Sequence, residues 1–296
     1  MPVDIATAER FVASTARLLD RHRLAVLLRG APVAPVIDAL RAYRNPDGGF
    51  GHALEPDLRG PESEPAATLH ALEVLAEVGM LDHPMVNDAA AWIATIAEPD
   101  GAVPLMLPAA AAYPHAPFLT PSDGGSFLTF ALAGALLQAG STQPWLANAT
   151  DWCWAVLEGP DKLHAYGVKS ALRFLDTVPD QRRADAAIKH LRPYLGTDGS
   201  IPVHGGIEGE RLTPLKLSQP PGARSRALFA DDQIEADLDR LERGQQDDGG
   251  WTFDSLDWSP GQSVECRGLE TLHALSTLRA NGRIEPSPLQ TQDRPQ

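Results

Sequence analysis

Cysteine is scarce in this chain. Cys153 and Cys266 are its only two thiols in 296 residues, too few for a disulfide framework and compatible with a reducing compartment. Positive charge is also short: 25 Lys and Arg stand against 39 Asp and Glu, a net charge of −14. An acidic chain repels phosphate backbones, and no basic stripe compensates, so nucleic acid is excluded as a partner. Anionic membrane surfaces are disfavoured for the same reason. The longest apolar run, 127–137 (FLTFALAGALL), reaches about half of a bilayer span, so no stable membrane insertion is expected. The N-terminal MPVDIATAERF has no basic segment followed by an apolar core, as a secretory signal would. A cytoplasmic location is the expectation. Aromatic residues make up only 6% of the chain, and alternation of period two is missing. An all-β reading is therefore excluded.

What is present is helical spacing, repeated. Apolar residues three and four apart mark helices near 7–28, 33–44, 64–79, 84–96, 124–139, 145–158, 163–178, 182–194, 231–243 and 262–281. Some, such as 231–243, carry Ile234, Leu238 and Leu241 on one face and charge elsewhere, as a solvent-facing helix does. Others, such as 64–79 and 124–139, are apolar or small almost all round and need cover on most sides. Alternation of the two kinds implies an inner ring of helices wrapped by an outer one.

Asp-Gly turns punctuate the helices at Asp47-Gly48, Asp100-Gly101, Asp198-Gly199 and Asp248-Gly249, at intervals of 53, 98 and 50 residues. The skipped register falls near Gly159-Pro160-Asp161. A period near fifty means stacked helical hairpins. First and last copies match best: Asn45 to Phe50 reads against Gln246 to Trp251, and Thr68-Leu69-His70-Ala71-Leu72 against Thr271-Leu272-His273-Ala274-Leu275. Such similarity fits a ring whose ends meet. The expected architecture is an all-α fold, an α/α toroid or barrel of about six helical hairpins. It forms a single domain over 1–284, followed by a disordered Pro- and Gln-rich tail over 285–296. Two Pro-rich stretches, 102–123 and 200–226, interrupt the repeat and read as lids over one end. Trp92, Trp145, Trp152 and Trp154 fall on outer segments and read as packing between hairpins.

The segment 238–251 (LDRLERGQQDDGGW) resembles the QW repeat of squalene–hopene cyclases. With NPDGGFG at 45–51 and the period near fifty, the chain is similar to the terpenoid cyclase/protein prenyltransferase α/α toroid superfamily. The wording RNPDGGFGHALEPDLRGPESEP and WSPGQSVECRGLETLHAL is also similar to a group of actinobacterial toroid proteins, a likeness that implies fold and names no reaction. The superfamily's catalytic signatures do not carry over. There is no DxDD motif for protonating an alkene. Cys266 follows Val264-Glu265 rather than the Asp-x of a prenyltransferase zinc site. A formal DDxxE match, Asp231-Asp232-Gln233-Ile234-Glu235, opens an amphipathic helix, where acids simply favour the positive dipole end. Neither a metal nor another cofactor is called for.

In such a toroid, the loop after each Gly-Gly lies near the N-termini of inner helices and so near the ring's mouth. The first and last turns lead into acidic loops. Ring closure would gather Glu55, Asp57, Asp254, Asp257 and Glu265 as candidate catalytic carboxylates. His52, Arg59, Tyr113, His115, His204, Trp258 and Arg267 are candidates for substrate contact. A carboxylate pair in a shielded mouth can keep one acid protonated and the other ionised. The plainer alternative is that these acids cap helices and pair with arginines to hold the seam. His70 and His273 occupy matching repeat positions and read as hydrogen-bonded core histidines. Three functions remain open: a terpene-cyclase-like enzyme that protonates an isoprenoid or other apolar small molecule; a carbohydrate-active barrel using paired carboxylates; and a non-catalytic ligand- or partner-binding toroid. An apolar cavity favours the first, a polar charged one the second. Oligomeric state stays open.

Overall fold

The computed structural model describes residues 2–121 and 124–285, so the expected tail lies almost wholly outside the described residues. Outer helices α1 (Ile5–Thr15), α3 (Ala34–Arg41), α5 (Pro84–Ile96), α7 (Trp145–Glu158), α9 (Gln181–Leu191) and α11 (Asp231–Arg243) alternate with inner ones. The inner helices are α2 (Leu18–Arg29), α4 (Pro65–Glu77), α6 (Leu128–Gln138), α8 (Ala165–Thr177), the single turn α10 (Pro214–Leu217) and α12 (Pro260–Ala280). The fold is an α/α toroid. Inner α6 is buried almost all round and packs on α4, α7 and α8, while outer α11 buries only Asp237 and Leu238.

The Asp-Gly turns are one device used four times. In the first, the Asn45 amide bonds the Gly49 carbonyl, the Gly48 amide bonds the Asn45 carbonyl, and Asp47 accepts from the Gly49 amide. The turns at Asp100, Asp198 and Asp248 repeat all three bonds. Three of them share a fourth bond to the next inner helix: the amides of Phe50, Val103 and Trp251 donate to the buried hydroxyls of Thr68, Thr129 and Thr271. Each glycine also lets the turn press on the following outer helix. A Cβ on Gly48 would meet Asp88 of α5 at 2.8 Å, and one on Gly101 would meet Ala149 of α7 at 2.4 Å. A Cβ on Gly249 would meet Thr7 of α1 at 2.4 Å. The last turn thus uses α1 as its next outer helix. The ring is closed.

Three expectations need correction. The continuous helix expected over 7–28 is two helices, broken at Ala16 and Arg17. Neither residue is a breaker by composition. The reversal is imposed by tertiary partners: Ala16 packs under Gly268, and Arg17 reaches the Leu54 carbonyl at 2.8 Å. The stretch 200–226 is only partly a lid. It starts with a two-residue antiparallel ladder, β1 (Ile201–Pro202) with β2 (Arg211–Leu212), a small strand pair that the helical pattern did not suggest. It then runs through α10, with Leu215, Leu217 and Ser218 buried, and so supplies the fifth inner position. The other stretch packs Met106, Ala110, Ala116 and Leu119 around Leu58, and its backbone bonds residues 57–59. It covers the end where the acidic loops lie.

Candidate active site at the mouth of the ring

All loops that enter inner helices open at one end, so the first loop (51–64) and the last (252–259) meet there. The first loop is strained: His52 and Ala53 have φ of 54° and 60°, a region side chains rarely adopt. Arg17 holds it through the Leu54 carbonyl, and Arg17 is itself fixed by buried Asp20 at 2.7 Å. Asp20 also pairs with buried Arg23 at 2.9 Å, and Arg23 with Glu77 at 2.6 Å.

Asp57 projects from this loop, and among the five candidate acids it is the one whose carboxyl is clearly raised. Loss of water around it, then the neighbouring Glu55, push its carboxyl up to about 6; hydrogen bonds from Trp258 and Gln262 partly offset this. The indole Nε1 of Trp258 donates to Oδ1 of Asp57 at 2.9 Å. Glu55 lies 3.6 Å from Nδ1 of His70. Those two acids meet at the mouth. The other three take partners. Glu265 receives both terminal nitrogens of Arg59, at 2.5 and 3.2 Å, which ties the seam. Asp254 pairs with Lys216, and Asp257 accepts from Ser263 on the surface.

The candidates for substrate contact scatter. Arg267 faces outward, forked onto Asp248 at 2.9 Å and lying over the Phe11 ring, so it braces the last turn and does not line the mouth. His52 bonds Asn45 on the exposed side of the first turn. Tyr113 bonds Glu62 on the surface, and His115 bonds the Tyr113 carbonyl. His204 is exposed in the segment joining β1 to β2. Trp258 and Arg59 remain at the mouth. Beside them sit aromatics that sequence reasoning passed over: Phe127 stacks on Tyr166 at 6.1 Å, and the Tyr166 hydroxyl bonds Glu210 at 2.8 Å.

Deeper in, the ring is charged. His273 on α12 is open to solvent, yet its charged neighbours come from α2 (Arg23), α4 (Glu77) and α8 (Lys169). Only a water-accessible interior accommodates both facts. Glu73 of α4 meets Arg173 of α8 there, which holds the Glu73 carboxyl down at about 2 against the effect of burial. Glu270 and Lys216 approach Lys169 in the same space. The lining is not the wholly apolar surface expected for a hydrocarbon. The signal was present in the sequence: Lys169 and Arg173 are one turn apart on a helix that the ring requires to be covered.

Glu64, at the N-terminus of α4, was also missed. It is almost fully buried, accepts from the Leu107 amide at 3.0 Å, and leaves Oε1 without a partner. Burial, followed by nearby Glu62, pushes its carboxyl up to about 7, the Leu107 amide opposing. The formal DDxxE match sits at the exposed start of α11, where Glu235 pairs with Arg283. Among the described residues no group of three His, Cys, Asp or Glu side chains is placed to hold a metal. No helix of the described residues is long and apolar enough to cross a membrane. A hollow of about 140 Å³ beside Gly159 to Leu163, where the third turn lacks Asp-Gly, lies between outer helices away from the mouth.

No family model and no curated protein matches the chain. Solved structures do. A protein from Actinoplanes is similar over 94% of this chain and 100% of its own, at 20% identity and a TM-score of 0.58. A variant of the type II terpene cyclase MstE from Scytonema, in complex with its substrate geranylgeranyl dihydroxybenzoate, matches 95% of this chain and 97% of its own, at 16% identity and a TM-score of 0.51. Another MstE variant, holding the product merosterolic acid A, matches 95% and 96% at 17% identity and 0.52. The fold is terpene-cyclase-like. At these identities the likeness speaks for the fold alone.

Proposed function

We propose that the protein is a terpene-cyclase-like enzyme that works by acid catalysis, with Asp57 as the proton donor. The observation that carries this reading is the place of the Asp57 carboxyl at the mouth, beside Glu55 and under the Trp258 indole at 2.9 Å, surroundings that push it up to about 6. An ordinary aspartic acid is fully ionised near neutrality, whereas this one keeps a useful protonated fraction. In the proposed step the Asp57 proton passes to one carbon of an alkene, whose π pair forms the new C–H bond. The other carbon becomes cationic, and Asp57 becomes a carboxylate that the Trp258 N–H steadies. The faces of Phe127, Tyr166 and Trp258 are at hand for the cation. The rearranged cation then loses a proton to water and solvent reprotonates Asp57, which closes the cycle, so product and substrate have the same mass. The charged interior fits an isoprenoid joined to a polar head, the character of the compound bound by MstE, better than a bare hydrocarbon.

The test is incubation with prenylated hydroxybenzoates in heavy water. Isomerisation with uptake of one deuterium, lost in Asp57→Asn, is the expected result. Unchanged turnover in Asp57→Asn removes Asp57 from the reaction. One observation favours a second reading, a carbohydrate-active enzyme with Asp57 as acid and Glu55 as the second carboxylate. That observation is the charged, water-accessible interior. Release of reducing ends from oligosaccharides, with no deuterium uptake into prenyl chains, would select it.

A further inference from the structure

We infer that Lys169 and Arg173 of α8 form a binding site inside the ring for a single carboxylate group of the ligand. The inference rests on the interior being the substrate's chamber and names the polar end of that substrate. Lys169 and Arg173 are four residues apart, so both project from one face of α8. That face looks across the ring at Glu73 of α4, Lys216 of α10 and Glu270 of α12. Arg173 donates to Glu73 from Nη1, and among the described residues its other nitrogens have no acceptor. Lys169, half-buried and facing the same charged groups, has no hydrogen-bond or ion-pair partner among the described residues. Both side chains are reached by solvent in the ring, so these donors are free for a ligand's oxygens.

The charge balance sets the ligand class. Glu73 answers Arg173 and Asp254 answers Lys216, which leaves Lys169 facing Glu270 without contact. One negative group with two acceptor oxygens satisfies Lys169 and the free edge of Arg173. A diphosphate, with two or three charges, would be repelled by Glu73 and Glu270. Desolvation and the adjacent Arg173 pull the Lys169 ammonium below its usual value, and an arriving carboxylate reverses that pull.

The experiment measures binding, by calorimetry, of a geranyl-substituted hydroxybenzoic acid against its carboxamide. The acid is expected to bind at least tenfold more tightly than the amide. Lys169→Met is expected to erase the difference and Lys169→Arg to restore most of it. Equal affinities, including no detectable binding of either, overturn the inference, as does an acid preference that survives Lys169→Met. Affinity is read without turnover, so Asp57→Asn protein gives the same answer. Failure here is separable from failure of the acid-catalysis reading.

Discussion

Trp258 donates its indole N–H to Asp57 across 201 residues of sequence, so the last loop of the ring sets the acidity of a residue on the first. The bond favours the charged carboxylate and works against burial. Trp258→Phe keeps an aromatic ring and deletes the donor. The Asp57 pKa is expected to rise further, by up to about one unit for a lost bond of about 1–1.5 kcal/mol. Activity that depends on protonated Asp57 falls as pH rises through that pKa. The variant's pH–rate profile should therefore keep its activity to higher pH than the parent's. A profile that stays put, or moves down, contradicts the role of the indole.

Glu64 makes a prediction about stability rather than rate. Its folded pKa of about 7 lies above the ordinary glutamate value, so between about pH 4.5 and 7 the fold holds a proton that the unfolded chain has released. Stability is therefore lost as pH rises across that window. Glu64→Gln keeps an oxygen for the Leu107 amide and removes the charge. It should stabilise the protein by about 1–3 kcal/mol at pH 8 and by little at pH 4, as followed by urea unfolding at both. A gain of equal size at both pH values would mean that Glu64 is not held neutral.

The buried group around Asp20 behaves in the opposite sense. Asp20 is fully buried between Arg17 and Arg23, both nearly inaccessible, and the arginines hold its carboxyl below the usual range although burial opposes them. Asp20→Asn leaves two buried guanidinium groups short of a counter-charge, a change that costs about 3–5 kcal/mol. Arg17 also anchors the strained His52–Ala53 segment, so hydrogen exchange should speed up over 51–59 as well as in α2. A loss below about 1 kcal/mol, with exchange unchanged, would show that the loop is held by something else.

The fold was legible because its signals are local and repeated. Asp-Gly turns and 3.6-residue spacing place outer and inner helices without any knowledge of contacts, and the match of Thr68 with Thr271 foreshadowed a shared hydrogen bond. Thr129 escaped because the long insertion after Gly101 moves it away from its register, though it makes the same bond to Val103. The break at Ala16 was illegible for a related reason: Arg17 and Gly268 enforce it from distant parts of the chain. At the mouth, the list of acids was readable from position alone. Which of them stays unpaired was not, because Arg59, Lys216 and Ser263 remove Glu265, Asp254 and Asp257 only in three dimensions. Arg267 misled because its neighbour in sequence, Glu265, faces the seam while Arg267 faces the turn.

Gly249 tests whether the ring is shut. It sits at φ 93°, and a Cβ there would lie 2.4 Å from the carbon and oxygen of the Thr7 carbonyl. Backbone cannot step aside as a side chain can. Gly249→Ala adds left-handed strain to that clash, and the sum is expected to be about 2–4 kcal/mol. The loss should be concentrated at the seam. Hydrogen exchange in α1 and the first turns of α12 should rise well before that in α6, which packs far from it. Gly222→Ala is the control: nothing lies within 4 Å of its added carbon, and stability should hold within about 0.5 kcal/mol. Loosening of the seam should also weaken the Arg59–Glu265 tie and the Trp258–Asp57 bond, so the Asp57 titration should change in Gly249→Ala although the two sites share no contact. A Gly249→Ala protein as stable as the control would mean that α1 does not rest on the last turn, and the mouth would then lose the closure that brings Asp57 and Trp258 together.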